Sequence, residues 1–214
     1  MSLEQVKLYF DEKKNISDQI DKNKIFQLSE RVINCYNNDG TIYLAANGGP
    51  VGAIDGFATD LKTHPFVMDD KSITTEVRRL KVQNLVESVG MTTGITNDLG
   101  HEMIFVEQLK NYMRNKSINK HDVLITMSGS GNSKNIINSF EFVKEFDVFT
   151  VCISGRSGGK ALETANLCIL IPGSSKFPGQ TGRNDNNFHI EDFQVSITHI
   201  VTGLLKQEVS KLVR

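Results

Sequence analysis

Apolar positions along this chain follow two periods in turn, and the alternation predicts helices that alternate with buried strands. In residues 1–38 apolar side chains recur every three to four positions, and Asn-Asn-Asp-Gly at 37–40 is typical of a helix end followed by a turn. Two N-terminal helices are therefore expected. Later stretches are near-continuous apolar runs and predict strands: TIYLAAN (41–47), DVLITMS (122–128), VFTVCIS (148–154) and LCILIP (167–172).

Helical periodicity returns between these runs. It predicts helices from Pro50 to about residue 62, over 101–116, over 132–146, over 160–165 and from about His189 to Leu212. The triplet FVM (66–68) suggests a short strand, residues 72–90 carry no clear signal, and ITNDLG (95–100) has the composition of a turn-rich loop.

Strands that are apolar along their whole length and alternate with helices are typical of a parallel sheet covered on both faces. The pattern predicts a doubly wound, mainly parallel α/β fold in one domain, 1–214. Residues 1–38 would form a helical extension, and 39–214 would form the α/β core with its C-terminal helix.

Composition is that of an ordinary globular protein, with 39% hydrophobic and 23% charged residues among 214. A net charge of −1 gives no general attraction to nucleic acid or to anionic membranes. We find no membrane-spanning apolar run and no signal-peptide pattern, so we expect a cytoplasmic protein. Cys35, Cys152 and Cys168 are odd in number and lack C-x-x-C spacing, so buried free thiols are expected.

The stretch MSGSGNSKNI (127–136) follows a predicted strand and opens a predicted helix. Hydroxyls of Ser128, Ser130 and Ser133, together with backbone N–H groups at a helix N-terminus, suit a phosphate group, and Gly129 and Gly131 let the backbone approach it closely. The stretch is neither a P-loop nor G-x-G-x-x-G, so a small phosphorylated molecule is favoured over a dinucleotide. The alternative is a serine-rich turn that caps the next helix.

The same serine motif resembles the phosphosugar loop of the sugar isomerase (SIS) domain family. AANGGPVGAIDGFATDL (45–61), GITNDLGHEMIFVEQL (94–109) and IEDFQVSITHIVTGLL (190–205) are similar in turn to segments of its phosphoheptose isomerases. That resemblance covers nearly the whole chain. It implies an aldose–ketose isomerase of a phosphorylated sugar, of the sedoheptulose 7-phosphate type, and a homo-oligomer, expected to be a tetramer, with sites between subunits.

Carried over by the resemblance, the family base falls on Asp60, the last-helix glutamine on Glu191 and the last-helix histidine acid on Gln194. Gly56 replaces another family histidine, so a family-type zinc site is not expected and no cofactor is predicted. We take Asp60, Glu191 and Gln194 as candidate catalytic residues. The candidate substrate- and phosphate-binding residues are Asn47, Gly48, Gly49, Asp98, Ser128, Gly129, Ser130, Asn132 and Ser133.

Because Gln194 replaces the family histidine that serves as general acid, four histidines of this chain bear on which residue could supply it. His64, His101 and His189 are expected to be exposed or helix-capping unless one replaces the acid, and His199 is expected to pack in the core or an interface. Three functions stay open: a heptulose-phosphate isomerase, a non-catalytic phosphosugar-binding or regulatory protein, and an isomerase or epimerase of a different sugar phosphate.

Overall fold

Parallel strands form the central sheet in the computed structural model, which describes residues 2–71, 75–113 and 118–213. The strands of these described ranges lie in the order β2-β1-β3-β4-β5, and every neighbouring pair is parallel. This is a doubly wound order, and it confirms the predicted fold class. The strands are β1 (Thr41–Ala46), β2 (Lys81–Asn84), β3 (Val123–Ser128), β4 (Phe149–Gly155) and β5 (Leu167–Ile171).

Helices cover both faces of the sheet. One hydrophobic cluster joins the sheet to α1, α2, α3 and α8, and the other joins it to α5, α6 and α7. The helices are α1 (Leu3–Gln19), α2 (Lys22–Asn37), α3 (Pro50–Thr63), α4 (Val89–Leu99), α5 (Ile104–Met113), α6 (Lys134–Lys144), α7 (Ala161–Thr164) and α8 (Asn187–Ser210). None of the helices in the described ranges is long and apolar enough to cross a membrane.

The strand β1 shows why the sequence signal was a continuous apolar run. Successive side chains of a strand point to opposite faces. Ile42 and Leu44 belong to the first cluster, whereas Tyr43 and Ala45 belong to the second. Because both faces are buried, every position is apolar and no polar alternation remains.

Both N-terminal helices are confirmed, and local chemistry explains where they begin. Ser2 caps α1 through a capping box with Gln5, and the Asp21 carboxylate accepts a hydrogen bond from the backbone N–H of Asn23 at the start of α2. Pro50 occupies the first turn of α3, where its missing N–H costs nothing.

The prediction of a loop at 95–100 is wrong. Residues 95–99 form the second half of α4, which begins after the N-cap Ser88 and ends at Gly100 with φ at +93°. No residue of α4 is buried. Because the helix buries no apolar stripe, its sequence carries no helical periodicity and only its turn-forming residues stand out.

The predicted strand at 66–68 is also not formed, since Phe66 closes a short 3₁₀ turn that begins at His64 and Val67 makes only an isolated bridge. The edge strand is instead β2, within the segment that carried no signal. It has four residues, of which only Val82 is buried, so its sequence contains no apolar run that would predict a strand. Residues 72–74 of that segment and 114–116 of the predicted helix at 101–116 lie outside the described residues.

Candidate active site

The serine loop after β3 is organised by its own first hydroxyl. Ser128 is buried, and its Oγ accepts a hydrogen bond from the backbone N–H of Gly131 at 3.0 Å. Ser133 is the N-cap residue of α6, yet its side chain makes no capping hydrogen bond. Its Oγ lies 3.4 Å from that of Ser128. The Ser133 hydroxyl is therefore not used for helix capping, which weighs against the capping alternative.

A cavity of about 290 Å³ lies over this loop, at the carboxyl ends of the strands. Ligands of open α/β sheets bind at this edge, where the strand order reverses between β1 and β3. Eight of the predicted residues line it, and four further residues join them. The lining residues are Asn47, Gly48, Gly49, Pro50, Ser128, Gly129, Ser130, Ser133, Arg156, Arg183, Asn187 and Glu191. We call this the anion cavity.

Sequence reasoning missed its two arginines and Asn187. Arg156 follows β4 directly, and its Nε donates to the backbone oxygen of Asp185 at 2.8 Å. Arg183 and Asn187 belong to the segment that leads into α8. A signal for Arg156 existed, because the carboxyl end of β4 must lie at the same sheet edge as that of its parallel neighbour β3.

Glu191 brings a carboxyl group to the same cavity. Its side chain lies against Gly49, where an added Cβ would collide with the carboxylate. Burial raises the pKa of Glu191, and the nearby negative charge of Asp192 raises it further. This carboxyl is therefore easier to protonate than an exposed one, and in that form it donates a hydrogen bond.

Four predicted residues do not line the anion cavity, namely Asp98, Asn132, Gln194 and Asp60. Asp98 is exposed on α4, where its carboxylate accepts a hydrogen bond from the Asn97 side chain. Asn132 is exposed, and its Oδ1 accepts from the backbone N–H of Lys160. Gln194 is fully buried, and its Nε2 donates to the backbone oxygen of Ile153 at 3.0 Å. Its amide thus belongs to the packing of α8 on the sheet, not to a ligand-facing surface.

Asp60 lies beside His199 instead. Its Oδ2 is 3.9 Å from His199 Nε2, and the two side chains are 35% and 66% exposed. His199 was expected in the core or an interface; the core alternative is wrong, because His199 lies on the exposed face of α8, and the interface alternative stays a prediction. Asp60 lines a second cavity of about 490 Å³ together with His64 and Lys206. We call this the Asp60 cavity.

The two cavities lie along the same pair of helices. Both α3 and α8 begin at the anion cavity, with Pro50 and Asn187. At roughly 1.5 Å of rise per residue, Asp60 lies about 15 Å along α3 from Pro50, and His199 lies about 12 Å along α8 from Glu191. The anion cavity and the Asp60–His199 pair are thus separate places along the same two helices.

The remaining histidines take different positions. His189 is fully buried, and its Nε2 lies 3.1 Å from Glu12 Oε2, so the expectation of an exposed or capping residue is wrong. His101 Nε2 lies 3.1 Å from Asn135 Nδ2, and Asn135 exchanges hydrogen bonds with Asn47 of the anion cavity.

The zinc ligand positions implied by the family resemblance do not come together in this chain. Gly56 has no side chain, the Gln194 amide is committed to Ile153, and Glu191 lines the anion cavity while Asp60 lines the other. In the described part of the chain no group of three or more His, Cys, Asp or Glu side chains is placed to hold a metal ion. The residues present do not fit a zinc site.

Comparison with known proteins agrees with this architecture. The phosphoheptose isomerase of Sulfurimonas denitrificans is 28% identical over 207 residues, which cover 96% of this chain and 94% of that protein. Phosphoheptose isomerase 2 of Campylobacter jejuni is 30% identical over 181 residues, covering 85% and 78%. The structure of the phosphoheptose isomerase of Neisseria gonorrhoeae superposes with a TM-score of 0.75 at 22% identity, covering 95% and 98%. The family model described as SIS domain matches residues 8–155, and the chain therefore belongs to the SIS domain family.

Proposed function

We propose that this protein is an aldose–ketose isomerase of sugar phosphates, with sedoheptulose 7-phosphate as its substrate. The anion cavity carries the proposal. It joins serine hydroxyls, the N-terminus of a helix and two arginines at the sheet edge where α/β proteins bind ligands. Relatives named as phosphoheptose isomerases align over most of the chain and support the choice of substrate.

In the proposed reaction the phosphate group occupies the anion cavity and the carbonyl end of the sugar points along α3 and α8 toward Asp60. Asp60 is the base that removes the proton from the carbon next to the carbonyl. The acid protonates the carbonyl oxygen to give the enediol, and the same proton transfers in reverse order on the neighbouring atoms give the isomer.

His199 takes the place of Gln194 as the proposed acid. It lies beside the Asp60 carboxylate, whereas Gln194 is buried and its amide does not act as a general acid at neutral pH. With their side chains 3.9 Å apart on adjacent helices, Asp60 and His199 can address a carbon and the oxygen bound to it.

A homo-oligomer, which we propose is a tetramer, belongs to the same proposal. The Asp60–His199 pair is open to solvent in the single chain, since the His199 side chain is 66% exposed. Leu3, Val6 and Phe10 present an apolar face of α1 that nothing in the described chain covers, with exposures of 53–67%. Further copies of the chain packed on these faces would bury the apolar side chains and help to exclude water from the Asp60–His199 pair.

Exchange of the substrate proton with solvent tests the reaction directly. Incubation with sedoheptulose 7-phosphate in deuterated water should place deuterium at the carbon that loses its proton. Asp60→Asn should lower both exchange and turnover by about 10²–10⁴-fold, the usual contribution of a general base. His199→Gln should reduce turnover by a similar factor.

Matched controls are available at exposed or peripheral positions. Asp18→Asn on α1 and His121→Gln before β3 change the same side-chain types away from both cavities and should leave turnover within about twofold. Full activity in Asp60→Asn would rule out Asp60 as the base.

The second candidate is a phosphosugar-binding protein without catalysis. One observation favours it: within the single chain the proposed base, Asp60, does not line the anion cavity and instead lines a separate one. Measurable binding of sedoheptulose 7-phosphate without deuterium exchange in any ketose or aldose phosphate would select this candidate over the isomerase.

We also propose that the protein works in the cytoplasm. Cys152 and Cys168 are register partners on β4 and β5 and, like Cys35, are buried free thiols, which suits a reducing compartment. Cell fractionation with a cytoplasmic marker enzyme tests this, and recovery with an extracytoplasmic marker would contradict it.

A further inference from the structure

We infer that Arg156 is a specificity-determining residue that recognises the dianionic phosphate monoester in the anion cavity. The choice of sedoheptulose 7-phosphate as one probe rests on the proposed function, but the inference itself concerns the anion. Arg156 lies outside the serine motif. It enters the cavity from the next strand, β4, opposite the glycines that follow β1.

The guanidinium of Arg156 is held in place by the segment that leads into α8. Its Nε donates to the backbone oxygen of Asp185 at 2.8 Å, and its Nη2 donates to the backbone oxygen of Arg183 at 2.6 Å and to Asn187 Oδ1. A fork fixed at three points loses little further conformational entropy when a ligand binds.

Two donors of the fork remain uncommitted. A guanidinium has five N–H donors, and the three hydrogen bonds above use one on Nε and two on Nη2. Within the described residues no hydrogen bond uses the pair on Nη1. The two N–H groups on Nη1 point in different directions, so they do not form the parallel fork, but each can donate a charge-assisted hydrogen bond to a phosphate oxygen.

The positive charge is likewise not neutralised. The groups that fix Arg156 are two backbone carbonyls and an amide oxygen, all of them uncharged. No ion pair in the described ranges includes Arg156 or its neighbour Arg183, although both line the cavity. One carboxyl group, that of Glu191, also lines the cavity, so the two arginines outnumber it, and together with the serine hydroxyls they favour an anion.

Titration calorimetry with inorganic phosphate and with sedoheptulose 7-phosphate tests the inference on the full chain. Arg156→Gln should weaken both by about 10- to 100-fold, the usual loss for a hydrogen bond to a charged group. Arg156→Lys should lose less, because it keeps the charge without the fork. If turnover is present, Arg156→Gln should raise KM more than it lowers kcat.

Arg31→Gln is the matched control, because the Arg31 guanidinium packs over the Phe149 ring outside both cavities. Its phosphate affinity should equal that of the parent chain. Phosphate affinity in Arg156→Gln within about threefold of the parent would overturn the inference. So would an equal loss in Arg156→Lys and Arg156→Gln, since that would assign the effect to anchoring of the segment instead of charge.

The two proposals can fail separately. Phosphate binding that depends on Arg156 in a chain without isomerase activity supports the inference and contradicts the proposed function. Isomerase activity together with a phosphate affinity that does not depend on Arg156 supports the proposed function and contradicts the inference. A parent chain that binds no phosphate overturns the inference, whatever its turnover.

Discussion

Gly49 is a position of the anion cavity where adding even a methyl side chain would disturb the site. Its position next to Glu191 leaves no room for a methyl group, because an added Cβ would meet all three atoms of that carboxylate. The sequence predicted Gly49 at the site from the N-G-G motif. Only the structure shows that the neighbour it makes room for is Glu191.

Gly49→Ala should therefore weaken phosphate binding by about tenfold, because the Glu191 carboxylate must move and both residues line the anion cavity. Calorimetry with inorganic phosphate measures this. Gly52→Ala is the control in the same helix, since its Cβ would meet nothing within 4 Å. Gly52→Ala should bind phosphate normally and gain about 0.5–1 kcal/mol of stability. Unchanged phosphate affinity in Gly49→Ala would contradict the crowding argument.

Among the site residues, those found from sequence share one property: they lie in a contiguous motif. Ser128, Gly129, Ser130 and Ser133 are close in the chain and their turn chemistry is visible there. Arg156 stands alone among ordinary turn residues. Its role depends on a parallel neighbour strand and on acceptors from the segment before α8, and neither can be seen at its own position.

At the scale of elements, the helix α1 is tied to the segment before α8 by Glu12. Its carboxylate accepts hydrogen bonds from Ser175 Oγ at 2.6 Å and from the backbone N–H of Lys176 at 2.7 Å, and it contacts the buried His189. Burial by itself would raise the pKa of Glu12. The hydrogen bonds from Ser175, Lys176 and His189 outweigh burial and hold that pKa below its usual range.

Glu12→Gln should lower the free energy of unfolding by about 1–3 kcal/mol at pH 7, because hydrogen bonds to a charged acceptor are lost. A carboxyl whose pKa is lower in the folded state contributes stability above its unfolded pKa of about 4.3. The difference between the parent chain and Glu12→Gln should therefore shrink as the pH falls below that value, through the folded pKa.

Urea unfolding at a series of pH values measures this difference. Glu4→Gln is the control on the same helix, because Glu4 is 77% exposed and pairs only with Lys7 at the surface. It should change the free energy of unfolding by less than about 0.5 kcal/mol. A gap between parent and Glu12→Gln that does not vary with pH would show that the carboxylate charge is not what ties α1 down.

The helix α4 is the opposite case among the elements. It buries no residue, and Val89, Met91 and Leu99 are exposed by 74%, 41% and 53%. A helix that packs so little gives no amphipathic pattern, which is why its second half was predicted as a loop. Elements that are buried, such as β1, β3 and β4, were predicted within one or two residues.

At the scale of the whole molecule, the exposed apolar faces of α1 and α4 bear on assembly. Of the α1 side chains, Ile16 is buried, whereas Leu3, Val6 and Phe10 point to solvent at helical spacing. A monomer rarely leaves such a stripe uncovered, so we expect these faces to be interfaces between copies of the chain.

Phe10→Glu should therefore shift the protein to a smaller assembly, because a charge would be buried against an apolar partner surface. Light scattering coupled to size-exclusion chromatography measures the mass of both proteins. Asn15→Glu introduces the same residue at an exposed position of α1 about 140° around the helix from Phe10, so it is the control and should leave the mass unchanged. A monomeric parent chain would contradict the expected oligomer.

The sequence by itself determined the alternation of strands and helices, the doubly wound class and the serine loop. These features depend on residues that are close together in the chain, in runs of apolar residues and in one turn. Only the tertiary structure decided that Arg156 and Arg183 face the serine loop, that His199 and not Gln194 lies beside Asp60, and that Glu12 holds α1. These contacts join segments far apart in the chain, and the direction in which each side chain points is set by the packing of helices on the sheet.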